Sequence, residues 1–414
     1  MRLGLPSLSQ FDRDARLLFV ATGIISGAMF GIQKLLEVLY VLRLGHGPEY
    51  VGVFIASGAL AFMGMSLPAG ALGRRFGTRH AMRLGGIGIV LGMVSMPLTE
   101  FVFPGVRHFW PIGSRILIHS GWSMFNTNLV TALATATRVD NRNDAYAVNG
   151  VLRGLGILLG SLVAGILPDL FARALHASLE VPGPYRFALW VGAVLGLIGL
   201  TPVSLVEGSE TGVPRERKGN RGHFPVGPMV LMMIYACAYN SGFATWSGFC
   251  SAYMDSELHL PTSVIGMIAG SAQFGAILAP LAIAGLSSRR GNGWILLLTS
   301  LVTGISLAPV GLVDHWAVAG QASICTLVLS AIWLPAVAAF QMEMVDSEWW
   351  SLAYGAVSMA MGLGFGTATI LGGHVAAALG YSSLFLIGAG LAVLSAVPMW
   401  GVLRAMRARH PDRA

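Results

Sequence analysis

The stretch Gly70-Ala-Leu-Gly-Arg-Arg-Phe-Gly-Thr-Arg-His80, GALGRRFGTRH, interrupts two long apolar runs with three arginines and three glycines. A second stretch, AGLSSRRGNGW from Ala284 to Trp294, repeats its arrangement 214 positions later. Both read as tight turns: glycine lets the chain reverse sharply, and arginine holds the turn in water while the flanking runs leave it. A chain needs such turns where it crosses a bilayer repeatedly.

Working outward from these turns, composition agrees. The chain is 55% hydrophobic and 11% charged, against roughly a quarter charged in soluble domains. Twelve segments of about the length a helix needs to cross a bilayer follow one another. The first six are Leu17–Leu42, Val51–Leu72, Ala81–Leu98, Trp110–Thr137, Ala145–Leu167 and Tyr185–Leu205. The second six are Met229–Ala252, Val264–Leu286, Trp294–Val313, Trp316–Val345, Ser351–Leu379 and Ser382–Leu403. Residues 206–228, rich in glycine, proline and charge, read as a linker between bundles at 1–205 and 229–414. The expected fold is an all-α polytopic membrane protein of two six-helix bundles. Asp12, Arg13, Asp14 and Arg16 before the first run, with no small-residue cleavage site after it, argue against a cleaved signal. Cys237, Cys250 and Cys325 lie inside apolar runs and form neither a disulfide framework nor a metal site.

Arginine placement orients the chain. With the N-terminus in the cytoplasm, Arg43, Arg107, Arg115, Arg173 and Arg186 fall near the outer side, Lys34 and Arg153 fall inside spans, and the remaining 19 of 26 Lys and Arg are cytoplasmic. That asymmetry places both termini and the linker inside, in a cytoplasmic (inner) membrane. It accounts for the net charge of +7 through topology and anionic lipid, with no role for nucleic acid. The halves also repeat. Gly52, Leu72, Arg75 and Gly77 recur as Gly266, Leu286, Arg289 and Gly291; Ala145-Tyr146, Gly154-Leu155-Gly156 and Gly165 recur as Ala353-Tyr354, Gly362-Leu363-Gly364 and Gly373. Six spans per half make the copies parallel, the arrangement of a two-bundle secondary transporter.

The opening turn resembles the signature G-x-L-x-D-R-x-G-R-[RK] between the second and third helices of the major facilitator superfamily. Gly70, Leu72, Arg75 and Gly77 match it, and Arg79 supplies a displaced basic residue after Thr78. Arg74 stands where the family has aspartate, and Ser288 does so in the second copy, which keeps Arg289 and Gly291. LYVLRLGHGPEYVG, Leu39 to Gly52, resembles the first outer turn of bacterial members. The resemblance spans the whole chain. It implies alternating access of two bundles, a cytoplasmic lock altered at Arg74, and a cavity lined by helices one, four, seven and ten. On helix five, Gly156, Gly160, Ala164 and Gly165 resemble the antiporter motif G-x-x-x-G-P-x-x-G-G, with Ser161 and Ala164 departing from it. Their four-residue spacing serves close helix packing equally well.

Ionisable groups inside spans are costly and usually functional. Helix one carries Gln33, Lys34 and Glu37, the last two spaced to pair with each other. Helix four carries Arg115, His119, Ser123 and Asn126 within about 80° of arc. Helix seven adds Tyr235, Tyr239 and Trp246; helix eight adds Gln273; helix ten adds Thr326, Ser330 and Trp333. These are the candidate cavity residues, with Glu37 and His119 as proton sites. Arg153 is open to a substrate-binding role, and reads first as a gate that pairs with Asp140 or Asp144 or as a plain anchor. No nucleotide-binding loop, metal cluster or catalytic constellation emerges, so no enzyme activity or cofactor is expected. The expected function is export of a small organic molecule, coupled to protons, by a monomer in contact with membrane lipid. Uptake of a metabolite anion held by Lys34 and Arg115, or a sensor built on a transporter fold, are the alternatives.

Overall fold

A computed structural model describes residues 10–137, 141–207, 225–346 and 349–409, with side chains described throughout except at 143, 280–290, 351 and 407–409. Among the described residues every regular element is a helix. Helix α1 runs Arg13–Arg43, α2 Pro48–Phe76, α3 Thr78–Ser95, α4 Trp110–Thr135, α5 Arg142–Leu175 and α6 Gly183–Leu205. Then come α7 Val226–Ser256, α8 Thr262–Arg290, α9 Asn292–Leu307 and α10 Trp316–Glu343. The last apolar stretch, Leu352–Met406, has 55 residues, nearly three times the roughly 20 that cross a bilayer. Gly380, at φ 83 and ψ 164, breaks it into α11 (350–379) and α12 (381–409).

Among the described residues ten stretches qualify as spans by length and hydropathy. Dividing the last at Gly380 adds one, and α4 supplies the twelfth. At 26 residues α4 is long enough to cross; its polar stripe lowers its hydropathy below that of the other spans. Helix α5 runs past the boundary at Leu167 that Pro168 suggested, continuing to Leu175. Membrane helices tolerate such a proline because neighbouring groups re-satisfy the freed carbonyl.

The two basic turns have one conformation. Gly77 (φ 86, ψ 147) precedes α3 and Gly291 (φ 77, ψ 158) precedes α9. Both lie in the left-handed region that a side chain rarely enters, which explains the glycine at each copy.

Packing uses small residues, as expected where lipid removes the hydrophobic drive between helices. In α1, Gly23, Gly27 and Gly31 lie on Leu152, Gly156 and Gly160 of α5, backbone against backbone. In α11, Gly364 lies on the Cys237 carbonyl of α7 in the same way. By contact the chain divides into two units: Met1–His46 with Ser57–Val213 and Leu260–Phe274, and Gly47–Ala56 with Pro214–His259 and Gly275–Ala414. The short transferred segments follow glycine contacts. Gly266 packs on Gly165 in the first unit, and Gly52 packs on Gly373 in the second.

Candidate functional site

Helix α1 carries a π-helical segment, Gly27–Gln33. Such wide turns are uncommon and concentrate at functional sites. The segment delivers Gln33 and, a turn later, Glu37 into the bundle, both buried. Glu37 Oε1 lies 2.8 Å from the Arg115 guanidinium of α4, with side-chain exposures of 3% and 8%. Glu37 is thus paired across helices, beyond the local spacing that Lys34 offers, and Arg115 is buried in the bundle. Lys34 is exposed, near enough for its charge to act on both Glu37 and His119. Glu37 Oε2 and both polar atoms of the Gln33 amide are buried with no hydrogen-bond partner among the described residues.

One turn along α4, the His119 ring Nδ1 sits 3.1 Å from the Arg115 carbonyl. Gly58 of α2 is the floor under both: a Cβ there would come within 2.9 Å of Arg115 Nε and His119 Nδ1. Sequence reasoning missed Gly58 because a single glycine in an apolar helix has no distinguishing pattern. The lower stripe of α4 behaves differently. Ser123 donates to the Phe62 carbonyl of α2 at 2.9 Å and meets Ser66 Oγ at 3.1 Å. Asn128, not singled out from sequence, donates to Ala69 O and Met124 O. These residues bind α4 to α2. Asn126 is half-buried.

Arg153 meets aromatic rings rather than a carboxylate among the described residues. Its guanidinium lies over the rings of Phe30 (5.4 Å) and Trp122 (5.2 Å), from α1 and α4. Asp144 is nine residues back, on the opposite face of α5, and Asp140 lies outside the described residues.

In the second unit the candidates separate into two groups. The Tyr235 hydroxyl donates to Leu296 O at 3.0 Å and accepts from Trp333 Nε1 at 2.7 Å and Ser300 Oγ at 3.3 Å. Trp333 stacks on Tyr239, centroids 4.4 Å apart. Trp246 instead joins Phe385, at 5.0 Å, and Tyr253 further along α7. Thr326 and Ser330 donate to carbonyls of their own helix. Gln273 is half-buried in the first unit. Helical spacing puts Tyr235, Tyr239 and Trp246 on one face of α7; Tyr235 and Tyr239 meet Trp333, while Trp246 packs on Phe385.

At the opening turn, Arg79 and Arg83 donate to the Ser204 carbonyl in the last turn of α6, where a cation complements the helix dipole. Arg74 is exposed and Arg75 lies over the ring of Phe76. Gly70 approaches Thr127, and Gly73 packs against the Asn128 amide. Gly77, Arg79 and His80 line a cavity of about 540 Å³ together with Asp12, Arg13 and Glu207. The Arg289 side chain lies outside the description.

The arrangement of the first unit can bind charge and hold a proton; that of the second is neutral and aromatic. Comparisons agree with a transport fold. A search of curated proteins finds none that matches this sequence. Among solved structures, a mutant of the nucleoside transporter NupG matches with TM-score 0.73 at 15% identity, covering 94% of this chain and 98% of that one. A POT family transporter in complex with 5-aminolevulinic acid matches with TM-score 0.76 at 12% identity, covering 99% of each. A bacterial homologue of the human lysosomal transporter Spinster matches with TM-score 0.71 at 12% identity, covering 94% and 96%. At these identities the likeness speaks for the fold. The sequence profile described as Major Facilitator Superfamily matches residues 18–249 and again 231–414. The chain therefore belongs to the major facilitator superfamily: it is a multi-pass secondary transporter, not an enzyme.

Proposed function

We propose that this transporter exports a small organic molecule across the cytoplasmic membrane in exchange for protons, with Glu37 as the group that carries the proton. The observation that carries the reading is the buried Glu37–Arg115 pair at 2.8 Å. A charge taken out of water is tolerated when its partner is in place. Protonating Glu37 removes the negative charge that faces the buried Arg115 guanidinium and so weakens the attraction between them. The two protonation states therefore prefer different arrangements of α1 and α4, which is what coupling requires. Glu37 suits the role better than His119, whose ring is engaged with the Arg115 carbonyl. Export rests on the weakened antiporter pattern at Gly156, Gly160 and Gly165. The bundles at 1–205 and 229–414, cytoplasmic termini and the monomeric state belong to the same proposal, supported by the arginine asymmetry and the repeat.

The test begins with a thermal-stability screen of small organic compounds at about pH 6 and about pH 8, since a ligand of the folded state raises stability. Hits are then followed in vesicles under an imposed pH gradient. Accumulation driven by an acidic lumen in everted vesicles, lost in Glu37→Gln while solute exchange survives, is the expected result. Gradient-driven accumulation that persists in Glu37→Gln removes the proton assignment. Accumulation only in right-side-out vesicles makes the protein an uptake system.

A further inference from the structure

The geometry points to Arg153 as the anchor for a negatively charged cargo, a small organic carboxylate with a flat apolar body. This inference rests on the transport reading and names the class of solute for it. Three cations, Lys34, Arg115 and Arg153, stand within the apolar spans of the first half against one carboxylate, Glu37. Glu37 is engaged with Arg115. Arg153 has no carboxylate partner among the described residues and is held by aromatic faces: Phe30 from α1 and Trp122 from α4, themselves edge to face at 5.0 Å. Rings stabilise a guanidinium through their negative faces but leave its in-plane N–H donors available. Those donors form the fork that matches a carboxylate.

Unused polar atoms lie on the same helices. Asn149 Oδ1, one turn before Arg153 on α5, is buried with no hydrogen-bond partner among the described residues, and so is Ser26 Oγ, one turn before Phe30 on α1. A ligand that brought its own hydroxyl or amine beside the carboxylate would satisfy atoms of this kind. The rings supply a surface for a planar body. The Arg153 site is also separate from the proton pair. Phe30 precedes Glu37 by seven residues and Trp122 follows Arg115 by seven, about 10 Å of rise on either helix. Anion and proton would thus occupy two levels of one unit, with His119 between them on α4.

The experiment measures binding of benzoate, cinnamate and indole-3-acetate to the purified full-length protein in nanodiscs, each against its neutral amide. Carboxylates should bind and amides should not. Arg153→Gln should weaken carboxylate binding by about tenfold or more, the scale of a lost hydrogen bond to a charged group. Arg153→Lys, which keeps the charge in a span that tolerates it, should lose less. Trp122→Leu should weaken cinnamate more than acetate, which has no ring. Carboxylate affinity unchanged in Arg153→Gln, amides binding as well as acids, or no binding by any of the three acids would each overturn the assignment. Counterflow separates this from the transport reading. Carboxylate binding through Arg153 without counterflow sinks transport and leaves the site; counterflow of a lipophilic cation without carboxylate binding sinks the site alone.

Discussion

The two halves of this chain share a scaffold and differ in chemistry. Gly77 and Gly291 adopt the same left-handed turn. Gly156 on Gly23 and Gly364 on Cys237 are one helix contact made twice, since Gly23 and Cys237 are 214 positions apart and Gly156 and Gly364 are 208 apart. At the functional level the likeness ends. The first unit buries Glu37 against Arg115, whereas the second buries a neutral knot of Tyr235, Trp333 and Ser300. Positions that set how close two backbones come are constrained by geometry in both copies. Positions that face the interior are free to diverge, and here one copy holds charge and the other aromatic surface.

The largest effect should come from splitting the charged pair. Arg115→Leu leaves Glu37 buried without its partner, and breaking a buried pair on one side costs about 3–5 kcal/mol. Replacing both members, Glu37→Gln with Arg115→Gln, should cost much less than the sum. Thermal unfolding of the single and double variants checks this, and additive effects would mean that the two charges do not compensate one another. In the second unit the corresponding change is milder. Tyr235→Phe strands the Trp333 N–H without its acceptor, worth about 1–3 kcal/mol. If Tyr235→Phe proved as damaging as Arg115→Leu, the contrast between a charged and a neutral unit would lose its energetic meaning.

The sequence was legible where one local pattern carries the information. Hydropathy and the basic turns define spans and the repeat, and four-residue glycine spacing on helix five announces a close helix contact, though not its partner α1. For Arg153 the sequence offered Asp144 as a partner by nearness alone, although nine residues put the two half a turn out of phase on a helix. What could not be read was pairing across distance. Glu37 meets Arg115, 78 positions away, although Lys34 stands at the helical spacing that invites pairing. Nor could sequence reveal the π-helical segment before Lys34, which displaces the register of everything after it, or that Ser123 would bind α2 instead of facing open space. Local spacing limits what a residue can reach on its own helix; tertiary packing decides what it does reach.

The shared scaffold makes a sharper, smaller prediction. Gly156→Ala and Gly364→Ala each press a methyl group onto a carbonyl of the facing helix, the Gly23 and Cys237 oxygens. Overpacking of that kind costs roughly 1–3 kcal/mol. The two variants should be destabilised alike, both within that range. Chemical unfolding of both reports the difference. A wide gap would show that the repeat is a likeness of outline without a likeness of packing forces.

The smallest effect lies in the turns that follow α1 and α3, where the first half again carries titratable groups. His46 and His108 rings sit 5.2 Å apart, edge to face. Burial lowers the His46 imidazole below its ordinary value, and the neighbouring His108 charge lowers it further. A folded value below the unfolded one means that the unfolded chain binds the proton more readily, so stability rises with pH across that interval. Below the unfolded value, about 6.5, the protein should lose a small increment of stability as pH falls towards the folded value, and be insensitive to this group above it. His46→Asn should flatten that slope without changing the midpoint at about pH 8. Melting temperatures of the wild type and this variant between about pH 5 and about pH 8 decide it. An unchanged slope would mean that the pH response arises deeper in the unit, at groups such as Glu37, and that the histidine pair is only packing.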